Sequence, residues 1–330
     1  MVSNNQSQTN NHEDINMTLF QFVGVDVSKD KFDSSFNDDS KVFTLDNKGF
    51  KKFVQYLNKV TSTPWVCMEA TGHYSELLAE YLYKNKIQVS IINPLQIKSF
   101  AKSKLVRNKN DQLDAKVIAH YGEVMQPRPF NPRSEDQKEI RDLVKLLDKL
   151  KEQLVQLKNQ LSSTQGKLTK KLIKQSIASI EKDIKKVLEE IKRLAKENPE
   201  FSTNVDLLSS IKGIAELTSF KLLSIVPNVS QFKNAKQFAA FIGLTPQQRQ
   251  SGKYQGKTVL CKTGHASLRK VLYMCALVAR RFNPVLKQFA DNLASRGKAP
   301  KQVLCAVMRK MAHIVFGVLK NQEKFNPAYG

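Results

Sequence analysis

Residues 107–122 read RNKNDQLDAKVIAHYG, and in this stretch two aspartates stand three positions apart in the opening turns of a predicted helix. Residues at positions i and i+3 lie on one helical face, so Asp111 and Asp114 direct their carboxylates the same way. Such a pair repels itself unless a divalent cation or nearby basic groups lie between the oxygens. The stretch therefore predicts a cation site, with a helix N-cap as the alternative reading of Asp111 alone.

The preceding residues predict the fold on which this helix packs. Three short strand-like runs begin at Phe22, and strands and helices then alternate up to the helix of Asp111. The predicted order β-β-β-α-β-α-β-α is that of the ribonuclease-H-like fold, in which acids at the ends of elements bind metal ions. We therefore predict a ribonuclease-H-like α/β domain over residues 20–130, after a disordered tail over residues 1–19.

Two further acids fall at positions that suit a metal site in this fold. Asp26 lies in the first strand, and Glu69 follows the apolar run WVCM, where a buried carboxylate without a partner would be costly. Asp30 and Asp33 compete with Asp26, but they fall in the turn and in the second strand. Four acids converging on two Mg²⁺ ions would lower the pKa of an attacking oxygen and stabilise the leaving oxygen of a phosphodiester.

Residues 131–199 predict a coiled-coil arm. Leucines step by four and three from Leu143 to Leu161, and isoleucines, one valine and one leucine do so from Ile173 to Leu194. These are heptad seams on either side of a break at SSTQG, which favours two long helices. The seams can serve dimerisation or fold onto each other within one chain, so the sequence leaves a dimer or a tetramer open.

The last segment, residues 200–330, predicts an all-α domain that binds a polyanion. Lys and Arg outnumber Asp and Glu by 53 to 30 in the chain, a formal charge of +23, and from residue 201 onward the ratio is 20 to 4. Such charge favours nucleic acid over a membrane. The segment 207–226 reads as a helix-hairpin-helix in which Lys212 and Gly213 bring backbone N–H groups to a phosphate.

Other features of the sequence concern the cellular location. The four cysteines show no CxxC spacing, so we expect reduced core residues and no zinc site. The first twenty residues lack the regions of a signal peptide, and the longest strongly apolar run is too short to span a bilayer. We therefore expect a cytoplasmic, nucleoid-associated protein without membrane contact.

The motifs VGVDVSKD, MEATGHY, RNKNDQLDAKVIA, GLTP, QSG and KTGHASLR stand in an order that closely resembles one family. This family is the DEDD transposases of bacterial insertion sequences, the IS-one-ten family, and the resemblance covers nearly the whole chain after residue 19. It implies a RuvC-like N-terminal domain whose metal ligands are Asp26, Glu69, Asp111 and Asp114. It also implies a serine nucleophile, Ser251, which the residues alone would not select.

The resemblance further implies the partners of the reaction. Family members use donor DNA, target DNA and a guide RNA encoded by the element, and the acids and the serine meet across subunits. His265 and the KGIA turn depart from the family pattern, which puts local DNA contacts in doubt. The nucleic-acid-binding candidates are basic residues and one turn glycine: Lys29, Lys104, Arg107, Lys109, Lys212, Gly213, Lys253, Lys257, Arg269, Arg280, Arg281, Arg309 and Lys310.

The sequence is compatible with three functions. The first is an RNA-guided recombinase that mobilises an insertion sequence through a phosphoserine intermediate. The second is a metal-dependent junction endonuclease in which water attacks and Ser251 has no chemical part. The third is a nucleic-acid-binding protein without catalysis. A covalent protein–DNA adduct distinguishes the first from the other two.

Overall fold

The computed structural model describes residues 20–37, 39–105, 111–226, 228–247, 250–251, 254–255 and 259–329, with the backbone alone at residues 111, 112, 250, 251, 254, 255 and 329. The tail predicted over residues 1–19 lies outside the described residues. The chain forms two compact units, residues 1–132 and 133–330. The further division of the second unit into an arm over residues 131–199 and a C-terminal domain over residues 200–330 stays a prediction.

The first unit is a mixed α/β domain built on a five-stranded sheet of order β3-β2-β1-β4-β5. β1 is antiparallel to β2 and parallel to β4, and β5 is parallel to β4. The elements follow the predicted order: β1 (Gln21–Val27), β2 (Lys31–Phe36), β3 (Asp39–Thr44), α1 (Asn47–Val60), β4 (Pro64–Glu69), α2 (His73–Lys84), β5 (Gln88–Ile92), α3 (Pro94–Ser103) and α4 (Asp111–Met125).

Alternation along the strands divides this unit into two apolar layers. One face of the sheet carries Val23 and Val25 of β1, which pack in a cluster with Phe53 and Leu78 of α1 and α2. The other face carries Phe22 and Cys67, which pack with α3 and α4 in a separate cluster. Burial raises the pKa of the Cys67 thiol to about 12, so this thiol stays protonated at neutral pH.

The arm of the second unit is a helical hairpin of α5 (Glu135–Ser163) and α6 (Lys167–Glu197). α5 begins with a capping box between Ser134 and Gln137. The two predicted seams face each other within one chain: Leu147 and Ile191 are fully buried, and Lys158 forms an ion pair with Glu181 at 2.9 Å across the hairpin. The alternative in which the seams fold onto each other is therefore the observed one, and the oligomeric state stays a prediction.

The C-terminal region is helical as predicted, but it is not all-α. Four short strands, which the sequence does not indicate, interrupt it between residues 245 and 261, and they form the two pairs β6–β9 and β7–β8. The elements are α7 (Pro199–Ser209), α8 (Glu216–Ile225), α9 (Ala235–Ile242), β6 (Thr245–Gln247), β7 (Gln250–Ser251), β8 (Tyr254–Gln255), β9 (Val259–Cys261), α10 (Ala266–Phe282), α11 (Pro284–Ser295) and α12 (Pro300–Asn321).

One hydrophobic core joins the base of the arm to the C-terminal helices. Ile140 and Ile191 of the arm lie in the same cluster of buried residues as Leu208, Leu272 and Val307. Within the part of the chain that the structure describes, α12 is the one helix long and apolar enough to cross a membrane by length and composition. Its apolar side chains, among them Val307, pack into this core, as those of a central helix in a soluble domain do.

Candidate functional site

Two of the predicted metal ligands lie at one edge of the five-stranded sheet. β1 and β4 run parallel, so their carboxyl ends meet at the same edge, and the register pairs Val25 with Met68. Asp26 and Glu69 each follow that pair by one residue, and both are half-buried. Because side chains alternate, Asp26 shares a face with Phe22, and Glu69 shares that same face with Cys67. The edge therefore presents two adjacent carboxylates on the face that carries α3 and α4.

Helix α4 lies directly on this face because two glycines allow close approach. A Cβ on Gly24 would come 1.9 Å from the carbonyl oxygen of Ala115 and 2.4 Å from the amide nitrogen of Ala119. A Cβ on Gly122 would come 2.7 Å from the ring of Phe22 and 2.8 Å from the sulfur of Cys67. The helix therefore crosses β1 in the opposite direction, with its N-terminus toward the carboxyl end of the strand.

This packing brings the N-terminal turns of α4 to the edge that holds Asp26. Asp114 is half-buried and precedes Ala115, which contacts Gly24 two positions before Asp26. Asp111 is the first residue of α4. As the first helical residue it lies one position after the N-cap, so the N-cap alternative is not the observed one. Its side chain is outside the described atoms, so its role as a metal ligand stays a prediction. We call the region formed by Asp26, Glu69 and the start of α4 the acid edge.

Asp33 lies beside Asp26. From the sequence alone it is only an alternative to Asp26 as a metal ligand. The antiparallel register pairs Asp26 with Asp33, and residues directly opposite each other in such a pair lie on the same face of the sheet. Asp33 is 4% exposed and forms an ion pair with Lys31 at 3.4 Å. Asp30, in contrast, is exposed in the turn after β1. A buried carboxylate, which the sequence offers only as an alternative to Asp26, therefore lies beside the acid edge.

The donor chemistry of the acid edge suits a hard divalent cation. Carboxylate oxygens are the ligands that Mg²⁺ prefers. The hydroxyl of Thr71, two positions after Glu69, is buried and makes no hydrogen bond to any residue that the structure describes. Among described side chains, which exclude that of Asp111, no three acid, histidine or cysteine groups form a closed metal cluster. Metal binding by the four predicted acids therefore stays a prediction.

Ser251 lies in a small β-structure rather than in an irregular loop. It ends β7, and its backbone pairs with Tyr254 at the start of β8. A second strand pair, β6–β9, in which Thr245 is opposite Cys261, flanks it in the sequence. We call residues 245–261 the serine hairpin. Its backbone is described at Ser251 but the side chain is not, so the direction of the hydroxyl stays open.

Two arginines hold the base of the serine hairpin. Arg269 donates a hydrogen bond from Nη1 to the carbonyl of Ile242 at 2.9 Å, and Arg309 donates one from Nη1 to the carbonyl of Leu244 at 3.2 Å. Gly243, between these carbonyls, ends α9 with a φ of +82°, and a Cβ there would come 2.6 Å from Nη1 of Arg269. Both arginines, predicted only as phosphate ligands, thus also support the backbone; phosphate contact through their other N–H groups stays a prediction.

Gly213 is also held by packing. It has a φ of +109°, and a Cβ on it would come 2.7 Å from the Cβ of Ala279, so the turn between α7 and α8 needs a glycine to contact α10. The neighbouring Lys212 is exposed, and its carbonyl accepts a hydrogen bond from Asn283 at 3.4 Å. The predicted glycine turn between two helices is therefore present, while its role as a phosphate-binding helix-hairpin-helix motif stays a prediction.

The remaining nucleic-acid-binding candidates are scattered over both units. Exposed side chains are found at Lys29 and Arg281, and at Lys104, which lies 5.8 Å from the ring centroid of Phe100. Arg280 and Lys310 are half-buried. The candidates that fall outside the described residues are Arg107, Lys109, Lys253 and Lys257.

Comparison with known proteins places this arrangement among DNA-rearranging proteins. A transposase family model of the DEDD type matches residues 23–165, and the model described as the transposase IS116/IS110/IS902 family matches residues 205–291. The first match includes the whole acid edge, and the second includes the serine hairpin.

Full-length relatives agree with these matches. The pilin gene-inverting protein of Moraxella lacunata is 30% identical over 315 residues, which cover 92% of this chain and 97% of the relative. The pilin gene-inverting protein of Moraxella bovis matches with the same identity and coverage. The transposase for insertion sequence element IS1111A of Coxiella burnetii is 25% identical over 346 residues, which cover 94% of this chain and 92% of the relative.

Proposed function

Since the chain belongs to the IS116/IS110/IS902 family of DNA transposases and recombinases, we propose that it cuts and rejoins DNA strands of an insertion sequence through Ser251, with the acid edge as a metal site. The observation that carries the proposal is the contact of α4 with Gly24, because it brings the start of that helix to the edge of Asp26 and Glu69. A ribonuclease-H-like, RuvC-like identity for the first unit belongs to the same proposal.

The proposed reaction conserves the energy of the phosphodiester. The Ser251 hydroxyl gives up its proton as its oxygen bonds to phosphorus, and the bond between phosphorus and one strand end breaks, so that this end leaves as a hydroxyl. The hydroxyl of the new strand then attacks the phosphoserine, and the serine oxygen regains a proton. No net bond energy is lost, so rejoining needs no nucleotide hydrolysis.

The acids would act by holding Mg²⁺ against the phosphodiester. DEDD transposases are typically metal-dependent, and Asp26, Glu69, Asp111 and Asp114 would supply carboxylate oxygens to two ions. When bound, Mg²⁺ offsets the negative charge that develops on the phosphodiester in the transition state. The acids of one subunit would act on a phosphodiester attacked by the serine of another subunit, in a dimer or tetramer. An element-encoded RNA would select donor and target DNA by base pairing. The reaction would take place at the nucleoid.

The test is a denaturing-gel assay for a covalent DNA adduct. Purified protein is incubated with element-derived RNA, donor and target DNA and Mg²⁺, and compared with the variants Ser251→Ala and Asp26→Asn. We expect the adduct in wild type and in the exposed controls Ser295→Ala and Asp30→Asn, and none in the two test variants. Cleavage by Ser251→Ala without an adduct would overturn the serine mechanism in favour of hydrolysis. An adduct that wild type forms in a reaction without RNA would show that the protein needs no guide RNA.

A mixture of the two inactive variants tests the subunit arrangement. If acids and serine come from different subunits, Ser251→Ala and Asp26→Asn complement each other, because a mixed assembly contains one site with intact acids and an intact serine. If both come from one chain, every site carries a defect and the mixture stays inactive. The variants are mixed before assembly at equal concentration, and each alone serves as the control.

Site-specific inversion is a second candidate reaction. Two relatives that match nearly the full chain are named pilin gene-inverting proteins. The same cutting and rejoining chemistry inverts a segment when both of its ends are exchanged within one molecule. A plasmid carrying the element ends in inverted orientation distinguishes the outcomes, since inversion preserves plasmid length and excision shortens it.

A further inference from the structure

Charge is distributed unevenly along the helical arm. Its distal part, residues 153–180, contains five lysines and no aspartate or glutamate. The proximal parts, residues 135–152 and 181–198, together contain eleven basic and eleven acidic residues. The arm is therefore neutral near the core of its unit and purely cationic near its end. A heptad seam alone requires no such difference, because seam positions are apolar.

Four of the lysines form one surface. Lys167, Lys170, Lys171 and Lys174 follow helical spacing on α6 and, with Gln175 and Ala178, line a shallow depression of about 470 Å³. We call these four the lysine face. Among the described residues, none of the four has a carboxylate within ion-pair distance, whereas Arg193 further along α6 pairs with Glu190 and Glu197 at 2.6 Å.

The lysine face is held at an electrostatic cost. Like charges at i and i+4, such as Lys167 and Lys171, destabilise a helix. The positive end of the helix dipole also disfavours cations in the first turns of α6, where no acidic residue is present. A bound polyanion removes both penalties, whereas an arm that serves only as a spacer gains nothing from this arrangement.

The neighbouring residues suit phosphate and sugar contacts. Twelve of the residues from 153 to 180 are Gln, Asn, Ser or Thr, whose side chains can donate hydrogen bonds to phosphate and sugar oxygens. Exposed apolar side chains at Leu168 and Leu172 raise the alternative of a second copy of the arm. Two tips that carry only positive charge repel each other, so charge complementarity favours the polyanion.

We propose that the lysine face binds the phosphate backbone of duplex DNA independently of sequence. DNA is favoured over RNA because the family acts on DNA, and the inference rests on this membership rather than on the chemistry of Ser251. α6 has 31 residues and therefore extends about 46 Å, so the contact lies roughly one turn of DNA from the base of the arm. The arm thus provides a grip on DNA away from the cleaved bond.

The test compares two triple variants with the same loss of charge. The first, Lys167→Gln, Lys171→Gln and Lys174→Gln, alters the lysine face; the second, Lys182→Gln, Lys185→Gln and Lys186→Gln, alters exposed lysines of the proximal α6. Affinity for a long duplex of random sequence is measured over a range of salt in full-length protein carrying Ser251→Ala. The logarithm of the affinity falls with the logarithm of the salt concentration, and each phosphate contact adds about 0.9 to the steepness of this salt slope. We therefore expect the first triple to reduce the salt slope by about 2.7 and the second to leave it unchanged.

Every other outcome contradicts the proposal. An equal reduction of DNA affinity and salt slope in the two triples would show an effect of overall charge. No reduction in either would show that the lysine face is only solvated. A loss confined to a structured RNA probe of equal length would assign the surface to RNA instead of DNA. Circular dichroism of both triples checks helix content. Because binding is measured without an active serine, failure of the serine mechanism does not affect the result.

Discussion

The acid edge and the serine hairpin are held in place in different ways. The acid edge is fixed by regular elements: a parallel strand pair sets Asp26 beside Glu69, and contact between Gly24 and Ala115 sets the helix above them. The serine hairpin consists of strands of two or three residues, and its base depends on single hydrogen bonds from Arg269 and Arg309. We therefore expect rigid geometry at the acids and geometry at the serine that individual side chains can shift.

The largest effect is expected at the helix–strand contact of the acid edge. In Gly24→Ala the new Cβ meets the backbone of Ala115 and Ala119, so α4 must move away. Such overpacking costs about 1–3 kcal/mol of unfolding free energy, and a shift of about 1 Å in a catalytic group costs about 100-fold in rate. Urea unfolding and strand cleavage measure the two losses.

Gly317→Ala is the matched control for this change. Gly317 lies in α12 with no atom within 4 Å of its added Cβ, so the helix gains about 0.5–1 kcal/mol from alanine. Wild-type stability and cleavage in Gly24→Ala would show that α4 does not need this close approach. Loss of cleavage with normal stability would show that the displacement of α4, and not unfolding, causes the loss of activity.

The second effect concerns the buried carboxylate beside Asp26. Asp33→Asn keeps the size of the side chain and removes its charge. If Asp33 supports the cation, the Mg²⁺ concentration needed for half-maximal cleavage rises by about 10- to 100-fold, the usual loss for a residue that orients a ligand. Asp30→Asn, in the exposed turn nearby, should need the same Mg²⁺ as wild type. An unchanged requirement in Asp33→Asn would limit that residue to its ion pair with Lys31.

A third prediction addresses the base of the serine hairpin. Arg269→Lys keeps the positive charge but lacks the fork that reaches the Ile242 carbonyl. A hydrogen bond from a charged donor contributes about 1.5–3 kcal/mol, so we expect the rate of adduct formation to fall about 10-fold or more, with an unchanged Mg²⁺ requirement. Arg296→Lys, at the exposed end of α11, is the control. Full activity in Arg269→Lys would mean that only the charge matters.

The same contrast explains what the sequence predicts. Strand alternation and helix spacing are local patterns, so residues 22–27 and 65–69 already indicate which acids share an edge. The contacts of the serine hairpin are not local: Arg269 and Ile242 are 27 positions apart, and Arg309 and Leu244 are 65 apart. Strands of two residues leave no periodic signal, so the sequence predicts a loop. Ser251 is identifiable only through the family resemblance.

The smallest effect is expected at the start of α10. His265 occupies the N-cap position but makes no side-chain cap; its Nδ1 lies 2.9 Å from the hydroxyl of Ser267 instead. Asparagine is among the best N-cap residues, so His265→Asn should stabilise the protein by about 0.5–1 kcal/mol. Thermal unfolding at pH 8 measures this gain, and His265→Ala, which cannot cap, is the control.

The gain from His265→Asn should increase as the pH falls. Burial, and secondly the nearby Arg269, lower the pKa of His265 below its usual 6.5. Below pH 6.5 the unfolded chain therefore binds a proton that the folded chain resists, so wild type loses stability as the pH drops, and above it the group contributes nothing. The asparagine of the variant does not titrate, while His313, whose pKa is lowered by burial and by Arg309, Lys310 and Lys236, is present in both proteins. The difference in melting temperature between variant and wild type should thus be larger at pH 5.5 than at pH 8, and an equal difference would assign the whole effect to the cap.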